Sequence, residues 1–280
     1  MKRILPRLLL TALVSIAFVA LPVHAATKHV NCDEGMSISD ALETAKGSAD
    51  VLEIVVSGVC NEVITIRRNR VTITGDPHAV INGRFRVFSA NNVNFEHLTI
   101  TGPGVGLVAT GTAGVIAFDT TFAQNQITNV SVRRNATVWL RNSRIEGDCE
   151  SVHDEDCADG ARVDAGTLEL WNTTVSGNRY GITADAGARV ILDTRPGGVT
   201  EIIDNSVVGV QVAFNSVVDI RGDTTFYGNQ HHAVYALLGS GVRIAAPSVF
   251  IDGNIGCQDW ISYLTNPGGG FFSSTSCFMH

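Results

Sequence analysis

Between Val71 and Ala245 the chain returns again and again to one short figure in which apolar and polar positions largely alternate. The segments "VTIT", "VNFE", "IAFD", "VWLR", "LELW", "VILD", "VDIR" and "VRIA" carry it. A period of two is that of a strand with one buried face. Stacked on a single inward residue, the segments align Ile73, Phe95, Phe118, Leu140, Leu170, Leu192, Ile220 and Ile244, at steps of 22, 23, 22, 30, 22, 28 and 24 residues. A second register follows the turns. "SGN", "IDN", "YGN" and "DGN" end on Asn178, Asn205, Asn229 and Asn254, which lie 27, 24 and 25 residues apart. Asparagine tolerates the left-handed backbone of a tight turn, and in-register amides bond from one layer to the next. A coil of this length holds about three short strands, too many residues for the hexapeptide type of solenoid. The pattern predicts an all-β, right-handed parallel β-helix, built as one domain over residues 26–280.

Composition agrees and adds a compartment. The 28 glycines and 7 prolines, with abundant Val, Ile and Thr, suit short strands joined by tight turns. Residues 1–25 read as a secretory signal: Lys2, Arg3 and Arg7 come first, an apolar run follows through Leu21, and "VHA" supplies small residues at the cleavage positions before Ala26. The apolar run is too short for a confident span and no second one follows, so no membrane span is expected in the mature chain. Losing three basic residues moves the formal charge from -7 to -10, which argues against nucleic acid or an anionic membrane as partner. Six cysteines, all after Ala25, favour disulfides in an exported chain, periplasmic or extracellular. The nearest-neighbour pairs are Cys32 with Cys60, Cys149 with Cys157, and Cys257 with Cys277. None has the CxxC spacing of a zinc or redox site.

Residues "SISDALETAKGSADVLEIVVSGVCNEVITIRRNRVTITGDPHAVING" resemble the opening segment of the pectate-lyase-like (pectin-lyase-like) right-handed β-helix superfamily. There a short amphipathic helix caps the first coil, followed by a G-x-Y-x-E-like strand and a "VTI-x-G" strand. Here the helix is expected over residues 36–49, with Ile38, Ala41, Leu42 and Ala45 on its apolar face behind Ser37 or Ser39 as N-cap. Gly58, Asn61 and Glu62 fill the second motif, with Cys60 at the aromatic position. Residues 255–280 are expected to close the other end. The resemblance is one of fold, which hosts many activities.

The catalytic signatures of such proteins are missing: no "NTD", "DD" and "GHG" set, no "QDTL" or "DFIFG", and no "RxPxxR". "GDPH" at Gly75–His78 resembles the "DPH" of secreted mannuronan epimerases, but Ile73 and Ala79 stand where those enzymes place Tyr and Glu. A proline-containing turn explains it more simply. His231 and His232 likewise read as turn residues at a coil corner.

The register assigns two outward columns. One runs Thr74, Glu96, Asp119, Arg141, Trp171, Asp193, Arg221, Ala245; the other runs Thr72, Asn94, Ala117, Trp139, Glu169, Ile191, Asp219, Arg243. With coils about 4.8 Å apart, neighbours in a column touch. Glu96 over Asp119 with Arg141 beside them resembles the calcium-plus-arginine arrangement of β-helix lyases, which implies these three as catalytic candidates. Trp139 and Trp171, flanked by Glu169, Asp193 and Arg221, suit stacking on sugar rings as a substrate-binding face. The same residues also form ordinary solvated ladders, with Arg141 over Trp171 and Asp193 paired to Arg221.

The 30-residue step from Leu140 to Leu170 contains "GDCESVHDEDCADG", residues 147–160, an excursion of about eight residues. Asp148, Glu150, Asp154, Asp156 and Asp159 are the candidate calcium ligands there, although the spacing departs from an EF-hand and a solvated, disulfide-pinned loop is the simpler reading. The expected function is contact with an extracellular or envelope polysaccharide. A calcium-dependent lyase acting on an acidic polysaccharide and an adhesive solenoid without small ligand are the alternatives. Oligomeric state is left open by the sequence.

Overall fold

In the computed structural model, residues 26–46, 51–149, 157–245, 249–257, 263–265 and 271–275 are described. The expected signal segment lies outside them, as do residues 150–156 of the acidic excursion. The alternating segments become short parallel strands, each bonded to the equivalent strand one coil earlier and one coil later. Three such ribbons run the length of a parallel β-solenoid of the right-handed type with about 9 turns. The first ribbon, which carries the outward columns, stacks the strands Leu52–Ser57, Val71–Asn82, Val93–Gly102, Gly114–Phe118, Thr137–Arg141, Thr167–Trp171, Arg189–Asp193, Val217–Ile220 and Gly241–Ile244. Within 255–280 the strands Tyr263–Thr265 and Phe271–Thr275 continue the pairing. No helix among the described residues is long and apolar enough to cross a membrane.

Inward positions merge into one continuous apolar core from Val30 to Ile255, in which Phe85, Phe95, Phe122 and Phe226 are completely buried. Phe85 and Phe95, on different ribbons, meet with ring centroids 4.4 Å apart. Burying side chains of this size stabilises by roughly 1.5–3 kcal/mol each. At one corner the asparagines form the expected ladder: Asn178 Nδ2 donates to Asn205 Oδ1 (3.2 Å), and Asn205 Nδ2 to Asn229 Oδ1 (2.9 Å). The ladder also reaches toward the N-terminus, where Asn129 Nδ2 donates to Asn178 Oδ1 (3.0 Å) and Asn125 Nδ2 to Asn129 Oδ1 (2.7 Å). Asn254 is exposed, unlike the buried Asn178, Asn205 and Asn229.

The helix at the first coil is shorter than expected. α1 spans Ile38–Thr44, with Ile38, Ala41 and Leu42 turned to the core and Ser37 as N-cap. Its free N–H groups are taken by Glu62, whose carboxylate accepts from Ile38 N (2.8 Å), Ser39 N (3.1 Å) and Ser39 Oγ (2.6 Å). A carboxylate at a helix N-terminus satisfies orphan donors and opposes the helix dipole. Cys32 is bonded to Cys60 and Cys149 to Cys157, as their spacing suggested. Cys257 is also in a disulfide, and Cys277 lies outside the described residues.

Candidate functional site

The first ribbon places most of the predicted side chains on one face, but with one slip. The observed column runs Thr74, Glu96, Phe118, Arg141, Trp171, Asp193. Phe118 therefore stands where Asp119 was expected, and Glu96 does not lie over Asp119. The cause is the coil step: the inward partner of Phe95 is Ala117, fully buried, while Phe118 is 39 % exposed. The adjacent column shifts with it, carrying Ile116 in place of Ala117, and then runs Trp139, Glu169, Ile191, Asp219, Arg243 as expected.

Glu96, Phe118 and Arg141, with Asn94 and Ile116, line a shallow recess of about 270 Å³. Beside it, Trp171 is half-buried and carries two guanidiniums, Arg141 and Arg195, each 4.5 Å from the ring centroid. The indole is thus a base for arginines more than an open platform for a sugar. Stacking holds a guanidinium in place while leaving its N–H groups to bond elsewhere. Arg141 Nε and Trp171 Nε1 are both buried without a hydrogen-bond partner, and neither Arg141 nor Arg195 has a carboxylate partner among the described residues. Trp139 donates from Nε1 to Glu169 Oε2 at 3.1 Å, which fixes both side chains.

Further along the ribbon Asp219, only 2 % exposed, is surrounded by arginines. Arg189 donates to Oδ2 from Nη2 (2.6 Å) and Nε (3.1 Å), and Arg221 Nη2 lies 3.4 Å from the same oxygen. Arg243 Nε stands 3.6 Å from Oδ1. Arg221 therefore turns to Asp219 and not to Asp193, whose Oδ1 accepts from Thr194 N at 2.8 Å. From Arg141 to Arg243 this face and the corner beside it carry five guanidiniums (Arg141, Arg189, Arg195, Arg221, Arg243) against four carboxylates (Glu169, Asp193, Asp219, Asp223). The chain as a whole has a formal charge of -7, so the local excess runs against it.

Asp119 belongs to a different group, at the corner that ends these strands. His97, Asp119, Asn142 and Asn172 occupy equivalent corner positions, all in the left-handed region with φ of 54°, 46°, 49° and 50°. Asn, Asp and His are the non-glycine residues that enter this region most readily. His97 Nδ1 lies 2.8 Å from Asp119 Oδ2, and Asn172 Nδ2 donates to Asn142 Oδ1 at 3.3 Å. His78 joins from the previous coil, its ring 5.8 Å from that of His97 and nearly perpendicular. The "GDPH" turn explains how. Thr74 pairs with Glu96 and Ala79 with Leu98, so residues 75–78 bulge out opposite His97 alone. Gly75 is required there, because a Cβ would fall 2.1 Å from His97 O and 2.6 Å from Ala79 N. The turn expected at "GDPH" is instead a bulge within the single strand Val71–Asn82, and it delivers a histidine to a cluster that sequence reasoning missed. The signal was available: with Ala117 inward, the second residue after each inward position reads His97, Asp119, Asn142, Asn172.

Of the acidic excursion, Asp148 and Asp159 are described and stand near the disulfide that closes it; Glu150, Asp154 and Asp156 lie outside the described residues. Burial pushes the Asp159 carboxyl above its ordinary value, against the opposing pull of Arg162 and Arg179. His232 stacks on Tyr235 at 4.6 Å, and its burial, with His231 next to it, lowers its pKa.

Comparison with solved structures places this architecture. An alginate lyase from Paenibacillus sp. str. FPU-7 superposes with a TM-score of 0.63 at 12 % identity, over 91 % of this chain and 98 % of the other. The fold is the pectate-lyase-like parallel β-helix. The β-helix also matches the pectate lyase Pel9A (TM-score 0.54, 12 % identity, 93 % of this chain and 78 % of that one). Pectin methylesterase PemA from Erwinia chrysanthemi gives a TM-score of 0.51 at 13 % identity, over 90 % and 92 % of the two chains. At such identity the likeness is one of fold alone. No family model and no curated protein sequence matches the chain.

Proposed function

We propose that this β-helix contacts an anionic polysaccharide along the ribbon that carries Arg141, Trp171 and the arginines around Asp219. The observation that carries the reading is the local excess of guanidiniums in an acidic chain, with Arg141 and Arg195 held over Trp171 and lacking a carboxylate partner among the described residues. A polymer lying along the solenoid axis meets a new coil about every 4.8 Å, so repeated carboxylates find repeated donors. Planar guanidiniums fit carboxylates in bidentate fashion. The disulfides support action in an oxidising compartment, and the segment 1–25 supports export. The polysaccharide-acting proteins that share the fold add an analogy of architecture.

The test is retention on immobilised polyuronate against a neutral glucan, as salt is raised. The wild-type chain is expected to be retained on the anionic polymer only, with retention falling as salt screens the contact. Arg141→Ala should weaken it about 10-fold or more, the scale of a hydrogen bond to a charged group, and Trp171→Ala, which removes the support of both guanidiniums, should do the same. Equal retention of the wild type and an Arg141→Ala/Arg195→Ala double variant would overturn the reading.

A lyase-like reading rests on one further observation, that Glu96 and Arg141 line the same recess with Phe118 between them. Arg141 would neutralise a uronate carboxylate, Glu96 would accept the proton alpha to it, and the glycosidic C–O bond would break with its electron pair leaving on oxygen. The product is an unsaturated, ultraviolet-absorbing uronate. Absorbance that rises with the wild type and is lost in Glu96→Gln supports this second reading; retention without any absorbance change leaves a binding module.

A further inference from the structure

We propose that His78, His97 and Asp119 hold a divalent transition-metal ion of the zinc class at the coil corner. One donor atom from each residue lies within 4.8 Å of the others, and the closest pair, His97 Nδ1 and Asp119 Oδ2, is 2.8 Å apart. An ion bound at about 2.0–2.2 Å to nitrogen and oxygen brings its donors to comparable separations. Binding would exchange the direct His97–Asp119 contact for bonds to the ion, with the exposed His78 as the third donor.

The backbone assembles these three donors by two independent devices. The corner position is one that the fold fills with asparagine in the following coils, at Asn142 and Asn172, and there the amides bond to each other. In the two preceding coils the same position carries His97 and Asp119, residues that also tolerate the left-handed backbone but offer metal donors. The bulge at residues 75–78 is the second device: it spends four residues opposite one, closes over the missing Cβ of Gly75, and sets His78 against His97. A plain surface ion pair between His97 and Asp119 requires the first device but not the second.

The donor set selects the ion. Two imidazoles and a carboxylate suit zinc, iron, cobalt, nickel or copper, whereas calcium and magnesium take oxygen ligands. Three protein donors leave coordination positions for water or for an oxygen of a bound molecule, as in catalytic zinc sites. The His97 ring meets Phe118, which lines the recess with Glu96 and Arg141, at 6.0 Å between centroids. An ion here would stand beside that recess. The site stands on its own geometry and does not depend on the polysaccharide reading.

The experiment is calorimetric titration of the metal-free full chain with zinc, with cobalt absorption as a second readout and melting curves as a control for folding. One zinc per chain is expected, undisturbed by calcium. His78→Ala and His97→Asn should each weaken binding by at least about 100-fold, since loss of a ligand exceeds the 10–100-fold cost of losing an outer-shell partner. His97→Asn places at the corner the residue that the next coils already use, so the fold is retained. Zinc uptake unchanged in the His78→Ala/His97→Asn double variant would assign the ion to other groups such as His231 and His232 and overturn the proposal. So would a folded wild-type chain that takes up no zinc, or binding that survives His78→Ala alone. Each result is read without polysaccharide and is separate from retention by Arg141.

Discussion

Asn205 offers the sharpest test of how the stack is held. It is fully buried, and its side chain takes part in four hydrogen bonds. Oδ1 accepts from the backbone N–H and the Nδ2 of Asn178, both at 3.2 Å, while Nδ2 donates to Val175 O (3.3 Å) and Asn229 Oδ1 (2.9 Å). In Asn205→Ala, Asn178 Nδ2 keeps Ser176 O at 2.8 Å, and Asn229 Oδ1 keeps the Asn205 backbone N–H at 3.2 Å. The Asn178 N–H is then stranded in the interior. A buried donor without a partner costs about 1–3 kcal/mol, and the void left by the amide adds to it. Asn205→Asp should be worse than alanine, because its second oxygen faces two acceptors and its charge is buried. Urea midpoints compared at equal slope measure both. A change within about 0.5 kcal/mol for alanine, the range of an ordinary surface substitution, would refute the argument. An aspartate milder than alanine would refute the donor role of Nδ2.

Two further predictions concern single positions. Gly75→Ala should open the bulge, withdraw His78 from His97 and abolish zinc uptake, with a destabilisation of about 1–3 kcal/mol, the usual cost of overpacking; full zinc uptake in this variant would show that the bulge does not position His78. Because the folded-state pKa of Asp159 is raised above 3.8, chiefly by burial, the folded state holds that proton to higher pH than the unfolded chain. The associated stability is present at low pH and lost as pH rises through the raised value. Asp159→Asn should therefore raise the melting temperature at neutral pH, with a gain that shrinks on acidification; a lower melting temperature at neutral pH would count against it. A melting temperature raised by calcium in the wild type but not in Asp159→Asn would assign this residue to a calcium site in the acidic excursion.

The solenoid was legible because its period is repeated so many times that no single coil decides it. The individual site was less so, for a reason confined to four residues. Val115, Ile116, Ala117 and Phe118 are all apolar, so alternation cannot say which faces inward, and size favours the phenylalanine. The structure pairs Ala117 with Phe95, one step of 22 residues on, and buries it while Phe118 turns outward. That single choice moved Asp119 from the outward column to the corner and hid its neighbour His97. Trp171 illustrates a different limit. Its outward position followed from the register, but its cover by Arg195 comes from a turn outside the strands, and alternation carries no information about that. The three arginines on Asp219 likewise needed contacts across coils to be distinguished from the expected Asp193 pair.

Pairing with the next coil resumes directly after the excursion at residues 75–78, with Thr74 opposite Glu96 before it and Ala79 opposite Leu98 after it, so the bulge absorbs the shift in register. Chemistry at a corner is therefore mechanically insulated from the core: residues can be gained there without repacking a buried side chain. In engineering terms the coils act as interchangeable slots. The same four-residue bulge, placed one coil along, would face a different corner residue, and the distance between two such bulges could be chosen in steps of about 4.8 Å.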